Sequence, residues 1–403
     1  MDSIKKIYKI GHGPSSSHTM GPRKAAITFL EKCPTADKIT TTLYGSLAAT
    51  GKGHLTNTVI EECFSHIESD IIWEKETFLP YHPNALKFEA YKNGVKLDEW
   101  TAYSIGGGDI IDNEGIKKQK DNKENKTYPL TTLQDILKYC TTEGITLWEY
   151  VFKYEDDDIA AYLEEVWDTM KKAIERGLNK EGVLPGSIHL QRKSSSYYIK
   201  ANNYKGSLKR RTLVFAYALA ASEENASGGL IVTAPTCGAS GTLPALLYHL
   251  HNSYNFSQER IIKALATAGL IGNLVKKNAS ISGADVGCQG EIGTASSMAA
   301  GAAVQLFGGT PAQIEYAAEI ALEHHLGLTC DPVAGLVQIP CIERNVFAAA
   351  RALDASMYAL LSDGQHMVSF DKTVITMNET GHDLPNLYKE TSQGGLAKFF
   401  CCK

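Results

Sequence analysis

The sequence predicts an α+β protein, with a small N-terminal α/β domain over residues 1–125 and a larger, mainly helical domain over residues 126–403. Three observations predict it. The first third mixes short apolar segments with dense turn chemistry, the middle carries a polar run, and beyond that run the apolar period changes to about 3.6. Lys38–Tyr44 and Leu86–Tyr91 read as strands, and Pro22–Glu31 reads as a helix with proline in its first turn. Gly11-His12-Gly13-Pro14, Gly51-Lys52-Gly53 and Gly106-Gly107-Gly108 punctuate them. From Asp112 to Tyr128 the chain is polar and almost free of large apolar side chains, which predicts a linker. After it, Ile159–Arg176, Arg260–Val275, Gly293–Phe307, Pro311–Leu326 and Val346–Leu361 read as helices. Several are rich in alanine and glycine, so they can approach one another closely, as a buried central helix must. No internal repeat or low-complexity tract is present.

Bulk properties exclude several classes. Of 403 residues, 43% are hydrophobic and 21% charged, an ordinary balance for a globular protein. A net charge of −5 gives no reason to expect nucleic acid or an anionic membrane as partner. The basic run Lys209-Arg210-Arg211 reads as a solvated face or an anion contact rather than a nucleic-acid patch. No apolar stretch of about 18 residues predicts a membrane span, and Met1–Lys6 contains no apolar signal core. The expected location is the cytoplasm. Nine cysteines in such a compartment are free thiols or metal ligands, and their odd number disfavours complete pairing.

Three cysteines have unusual neighbours. Cys288 follows Gly283-Ala284-Asp285-Val286-Gly287, and Cys330 and Cys341 bracket Asp331-Pro332-Val333-Ala334-Gly335-Leu336-Val337-Gln338-Ile339-Pro340. The glycines and prolines place each at a helix end or in a loop, where a thiolate can meet backbone N–H groups and a metal. Spacing alone leaves two readings open. The pattern Cys-x41-Cys-x10-Cys matches no compact zinc motif, and on spacing alone three small buried hydrophobes fit it better than a metal site.

The embedding sequences decide more. Gly287-Cys288-Gln289-Gly290-Glu291-Ile292-Gly293 and Cys330-Asp331-Pro332 through Pro340-Cys341-Ile342-Glu343-Arg344-Asn345 resemble the bacterial iron–sulfur L-serine dehydratases. So do Gly13-Pro14-Ser15-Ser16-Ser17-His18-Thr19-Met20-Gly21-Pro22, Tyr44–His54, Tyr103–Gly108 and Thr233–Thr236, in order along nearly the whole chain. Having both domains in one polypeptide resembles the single-chain form. The resemblance implies a [4Fe–4S] cluster on Cys288, Cys330 and Cys341, L-serine as substrate, pyruvate and ammonia as products, inactivation by air, and a homodimer. Some relatives cap the cluster with a C-terminal cysteine. Glu390–Ala397 resembles their tail, but here Cys401 and Cys402 are adjacent and followed by Lys403, which leaves open two readings: a fourth cluster ligand, Cys401 before Cys402, or an exposed terminal pair that ligates nothing. Cys33, Cys63 and Cys140 read as structural, and Cys237 as lining the site without ligating.

Eliminating water from serine requires a base for a weakly acidic α-proton and an electrophile for a poor leaving group. His54 lies in a glycine-rich turn with a pKa range suited to neutral pH, and the resemblance implies that it abstracts the proton. The turn Ser15, Ser16, Ser17, His18 and Thr19 offers O–H and N–H donors to the substrate carboxylate. His324 and His325 point about 100° apart on a helix, so they read as supporting or packing residues. Glu343, Arg344 and Asn345 follow Cys341 and suit orientation of cluster or substrate; His82 is a weaker candidate. Gly45 to Lys52 superficially resembles a phosphate-binding loop, but its glycine spacing is wrong and Gly53 stands where Ser or Thr is required. Competing readings are a related hydroxylated substrate such as threonine, a regulatory sensor, and a pyridoxal-phosphate enzyme. The last two lack a DNA-binding element and a suitable lysine respectively.

Overall fold

The computed structural model describes residues 1–116 and 127–400. Most of the expected linker, and Cys401 and Cys402, lie outside the described residues. The architecture is α+β: one mixed sheet near the N-terminus, then a larger body of helices.

The strands are β1 (Ile10–His12), β2 (Lys38–Tyr44), β3 (Glu68–Glu74), β4 (Ala85–Lys92), β5 (Val95–Ser104), β6 (Ile110–Asp112) and β7 (Leu230–Val232). Five of them form a sheet in the order β3-β2-β4-β5-β6, with β2 parallel to β3 and the other pairs antiparallel. Along β2 every second residue, Ile39, Thr41 and Leu43, is buried, the period of a strand with one covered face. Helices Gly21–Lys32 and Thr56–Cys63 cover that face through Ala25, Phe29 and Ile60. Phe29 stacks on Phe88 of β4 at 5.2 Å between ring centroids, and Phe64 meets Phe88 edge-on. Both rings of the stacked pair are fully buried, each stabilising by about 1.5–3 kcal/mol relative to an exposed position.

The chain begins inside the helical body. Met1, Ile4, Ile7 and Tyr8 belong to its core, the Tyr8 hydroxyl donates to the Leu265 carbonyl at 2.8 Å, and β1 pairs with β7. The centre of this body is the helix Thr294–Leu306. Every residue in it except Gln305 is buried. Its mostly small side chains let Thr242–Tyr254, Gln258–Asn278, Pro311–Glu323 and Cys341–Leu360 pack around it. The two serines are satisfied across the interface: Ser296 donates to Ala348 O at 3.0 Å and Ser297 to Ala318 O at 2.6 Å.

Two helix ends differ from the periodicity. Pro311–Glu323 stops before His324, because Gly327 adopts φ +78° and the chain turns there. The helix Cys341–Leu360 begins directly after Pro340 and five residues before Val346. Its first turn, Cys-Ile-Glu-Arg-Asn, lacks an apolar repeat and so gave no periodic signal.

Candidate active site at the sheet–helix junction

Cys288, Cys330 and Cys341 are free, buried, and line one cavity. Cys288 follows Gly287 (φ +75°) and opens the short turn Gln289–Gly293 that runs into the central helix. Cys341 is the first residue of its helix. Two of the three sulfurs thus sit at helix N-termini, where free N–H groups and the helix dipole favour a thiolate. Cys330 lies in extended chain, its N–H donating to Tyr388 O and its carbonyl accepting from Glu390 N–H, both at 2.7 Å. Cys288 Sγ, Cys330 Sγ and a Glu291 oxygen lie within 4.8 Å of one another.

Arg344 stands beside this group. Its guanidinium donates to Thr329 O at 2.6 Å and reaches Asp331 Oδ1 at 3.4 Å. A hydrogen bond from Cys330 and the charge of Arg344 bring the Cys288 thiol down to about 6. The same hydrogen bond and burial push Cys330 up, and burial pushes Cys341 up. Two carboxyls complete the wall. Burial and the Cys288 charge push Glu291 well above the carboxylate range and Glu390 up to about 8.

The sheet domain supplies the other wall. Ser15 caps the turn Ser16–Met20, its Oγ accepting the His18 N–H at 3.1 Å. Thr19 Oγ1 donates to His54 O at 2.7 Å and Thr56 Oγ1 to His18 O at 2.5 Å, which lock this turn to the loop bearing His54. The His18 and His54 rings lie 4.5 Å apart. Hydroxyl geometry fixes both tautomers. Thr50 spends its proton on Ser46 O at 3.1 Å, so it can only accept from His54 Nδ1–H at 3.1 Å. His54 Nε2 therefore carries a lone pair, and burial lowers the ring pKa to about 4. Ser46 spends its proton on Glu390 O, so His18 Nε2–H donates to Ser46 at 3.1 Å and Nδ1 accepts from Ser17 at 2.8 Å. His18 is a neutral pillar under the turn, with both ring nitrogens engaged. Ser15 and His54 face the cavity; Ser16, Ser17, His18 and Thr19 are buried behind it.

Other expectations find definite places. Cys33 packs in the sheet core with Cys63 against it, and Cys140 packs in the helical core. Cys237 does not line the cavity: its Sγ packs on Met20 Sδ, and the neighbouring Gly238 takes the lining position. His324 and His325 bond to backbone carbonyls of their own helix, Ile320 O and Ala321 O. The Asn84 N–H donates to His82 Nδ1 at 3.1 Å, and Glu343 pairs with Lys193 on the surface. Sequence reasoning passed over Glu291 and Glu390. Glu291 had a signal, since it stands three residues after Cys288 at the start of a helical turn and so shares its face. Glu390 stood only as the first residue of the tail-like run Glu390–Ala397, and the bridge between Cys330 and Lys389 that brings it to the cavity has no local signal.

The fold and site together define a two-part α+β protein whose junction encloses three thiols, a neutral imidazole and a hydroxyl-rich turn. The chain belongs to the serine dehydratase family: the model of the serine dehydratase alpha chain matches residues 84–397, and that of the beta chain residues 3–63. Similar proteins include an L-serine dehydratase of Haemophilus influenzae, 40% identical over 100% of both chains. One of Streptomyces coelicolor is 39% identical over 98% of each chain, and one of Helicobacter pylori is 40% identical over 99% of each.

Proposed function

We propose that the protein eliminates water from L-serine to give pyruvate and ammonia, using a [4Fe–4S] cluster held by Cys288, Cys330 and Cys341. One observation carries the reading: three unpaired buried thiols from separate segments share a cavity with a neutral histidine. The donor set suits an iron–sulfur cluster, which is held by thiolates, and the cradle is kept open by Gly283. A Cβ there would lie 3.0 Å from Cys330 Sγ and 2.6 Å from Glu291 Oε2. Three thiolates leave one iron free to act as a Lewis acid toward the departing hydroxyl.

The chain's own residues do the remainder. His54 Nε2 presents a lone pair to the cavity and takes the α-proton, while Thr50 holds the opposite nitrogen in the donor tautomer. The Ser15–Thr19 turn takes the substrate carboxylate, with Ser15 at the cavity wall. Burial of the wall residues limits water until the aminoacrylate product leaves, tautomerises and hydrolyses. A reducing cytoplasm suits three free thiols.

The test is an anaerobic assay of pyruvate formation from L-serine, with visible spectra before and after air exposure. Broad absorbance that bleaches in air together with pyruvate formation supports the reading. Absence of a cluster after anaerobic reconstitution with iron and sulfide overturns it. Cys341→Ala is expected to lose cluster and turnover together, and His54→Ala to keep the spectrum while losing most turnover.

A further inference from the structure

The chain beyond Pro385 turns back across the Cys330 segment and is fastened at several points. Cys330 N–H donates to Tyr388 O and Glu390 N–H to Cys330 O, each at 2.7 Å. Ser392 Oγ donates to Pro332 O at 2.7 Å, and Leu396 N–H to Asp331 Oδ2 at 2.5 Å. Glu390 is held at φ +58°, a conformation that residues with side chains seldom adopt. The result is a carboxyl aimed inward, its side chain only 9% exposed, on the cavity that His54 and Ser15 also line. Ala284 N–H donates to this carboxyl, and one of its oxygens lies 3.5 Å from His18 Nδ1. That nitrogen already accepts from Ser17, so His18 offers no cation. Among the described residues Glu390 has no cationic partner.

We propose that Glu390 receives the α-ammonium group of the substrate and selects amino acids over hydroxy acids. This rests on the elimination reading above. An α-ammonium and an α-carboxylate leave the same carbon, so their receptors must lie side by side. Glu390 meets that condition, because His18, which its carboxyl approaches, supports the Ser15–Thr19 turn assigned to the carboxylate. The remaining cavity carboxyl, Glu291, is 3.9 Å from Cys288 Sγ and belongs to the thiol wall. An ammonium facing the Glu390 carboxyl favours the ionised form that burial disfavours, and the hydrogen bond is then charge-assisted; the analogue without the ammonium supplies no such partner.

The test compares L-alanine with L-lactate, which differ by ammonium against hydroxyl, as competitive inhibitors of the cluster-loaded protein and its Glu390→Gln variant. We expect the variant to lose roughly 10- to 100-fold in L-alanine affinity. L-lactate affinity should change little, the KM for L-serine should rise in step, and the visible spectrum should be retained. An unchanged L-alanine to L-lactate ratio overturns the assignment. If the Gln variant folds poorly, Glu390→Asp decides: retained discrimination with a raised KM supports the proposal, and lost discrimination overturns it. Calorimetric binding of the same two ligands separates the two levels of the argument. A wild-type protein that binds L-alanine through Glu390 but leaves L-serine intact overturns the reaction and keeps the ammonium site.

Discussion

Replacing Asn345 with alanine tests how the thiol wall is built, because this amide is fully committed. It is 1% exposed. Its Oδ1 accepts from Gly241 N–H at 3.0 Å and from the Thr242 hydroxyl at 2.9 Å. Its Nδ2 donates to Gly238 O at 2.7 Å and to Cys341 O at 3.0 Å. These bonds tie the first turn of the Cys341 helix to the turn that presents Gly238 to the cavity. Truncation leaves the Gly241 N–H and the Gly238 carbonyl buried without a partner, while Thr242 can rotate toward the Asn345 carbonyl at 3.4 Å. Each orphaned group costs about 1–3 kcal/mol, and the lost side chain leaves a small void, so the expected destabilisation is about 3–5 kcal/mol. Asn345→Asp should be no better, because it turns a carboxylate oxygen toward two carbonyls. Urea unfolding of metal-free protein by circular dichroism isolates this effect from stabilisation by bound metal. Iron per chain after reconstitution reports the position of Cys341. A loss below about 1 kcal/mol with full iron loading would refute the claim that this clamp sets the wall.

Burial holds His54, His82, His249 and His325 down to about 4, whereas the unfolded chain takes up those protons near 6.5. The unfolded state therefore binds more protons between these values, so stability is full above pH 6.5 and falls toward pH 4, by up to about 1.4 kcal/mol per pH unit for each group. Urea midpoints measured from pH 8 to 4.5 check this, and His249→Gln, outside the cavity, should flatten the slope. Because His54 is neutral throughout this range, kcat/KM for L-serine should show no acid limb centred near 6.5; such a limb, present in wild type and moved by Thr50→Val, counts against the neutral-base account. Gly53→Ala would push a Cβ into the Gly335 carbonyl oxygen, where the two domains' loops meet. We expect kcat/KM to fall roughly 10- to 100-fold through misplaced His54, with iron content unchanged; a fully active variant would show that the loops tolerate separation.

The sequence carried the local elements well where one periodicity dominated. Ile39, Thr41 and Leu43 alternate on a half-covered strand, and the alanines of Thr294–Leu306 announced a helix packed on all sides. It carried the thiols only through their embedding motifs, since the distances among three sulfurs contributed by two helix ends and an extended stretch are tertiary facts. The same limit hid the place of Glu390, which stands 60 residues beyond Cys330 and reaches the cavity because its neighbour Lys389 bridges to Cys330. His18 illustrates a finer limit. Its residue type suggested a donor to substrate, yet the directions of the Ser17 and Ser46 hydroxyl bonds engage both ring nitrogens. Which nitrogen holds a proton depends on neighbours that no local pattern specifies.

Around one cavity the described residues set three thiols and two carboxyls, with the guanidinium of Arg344 beside the thiol wall. Arg344 is itself shared with Asp331. Burial first, then the Cys288 charge, raises the proton affinity of Glu291, and the hydrogen bond with Cys288, then burial, raises that of Cys330. On the elimination reading, iron would stand against the thiols and an ammonium against Glu390. On that reading the substrate also brings a carboxylate, which the Cys288 thiolate would disfavour nearby. A carboxylate would be better received at the opposite wall, where the donors are neutral hydroxyls and amides. The Ser15–Thr19 turn has that character, because His18 beneath it is held uncharged by burial and by the His54 ring. On the elimination reading, the sheet region would take the carboxylate of the substrate, and the fastened tail, through Glu390, its ammonium.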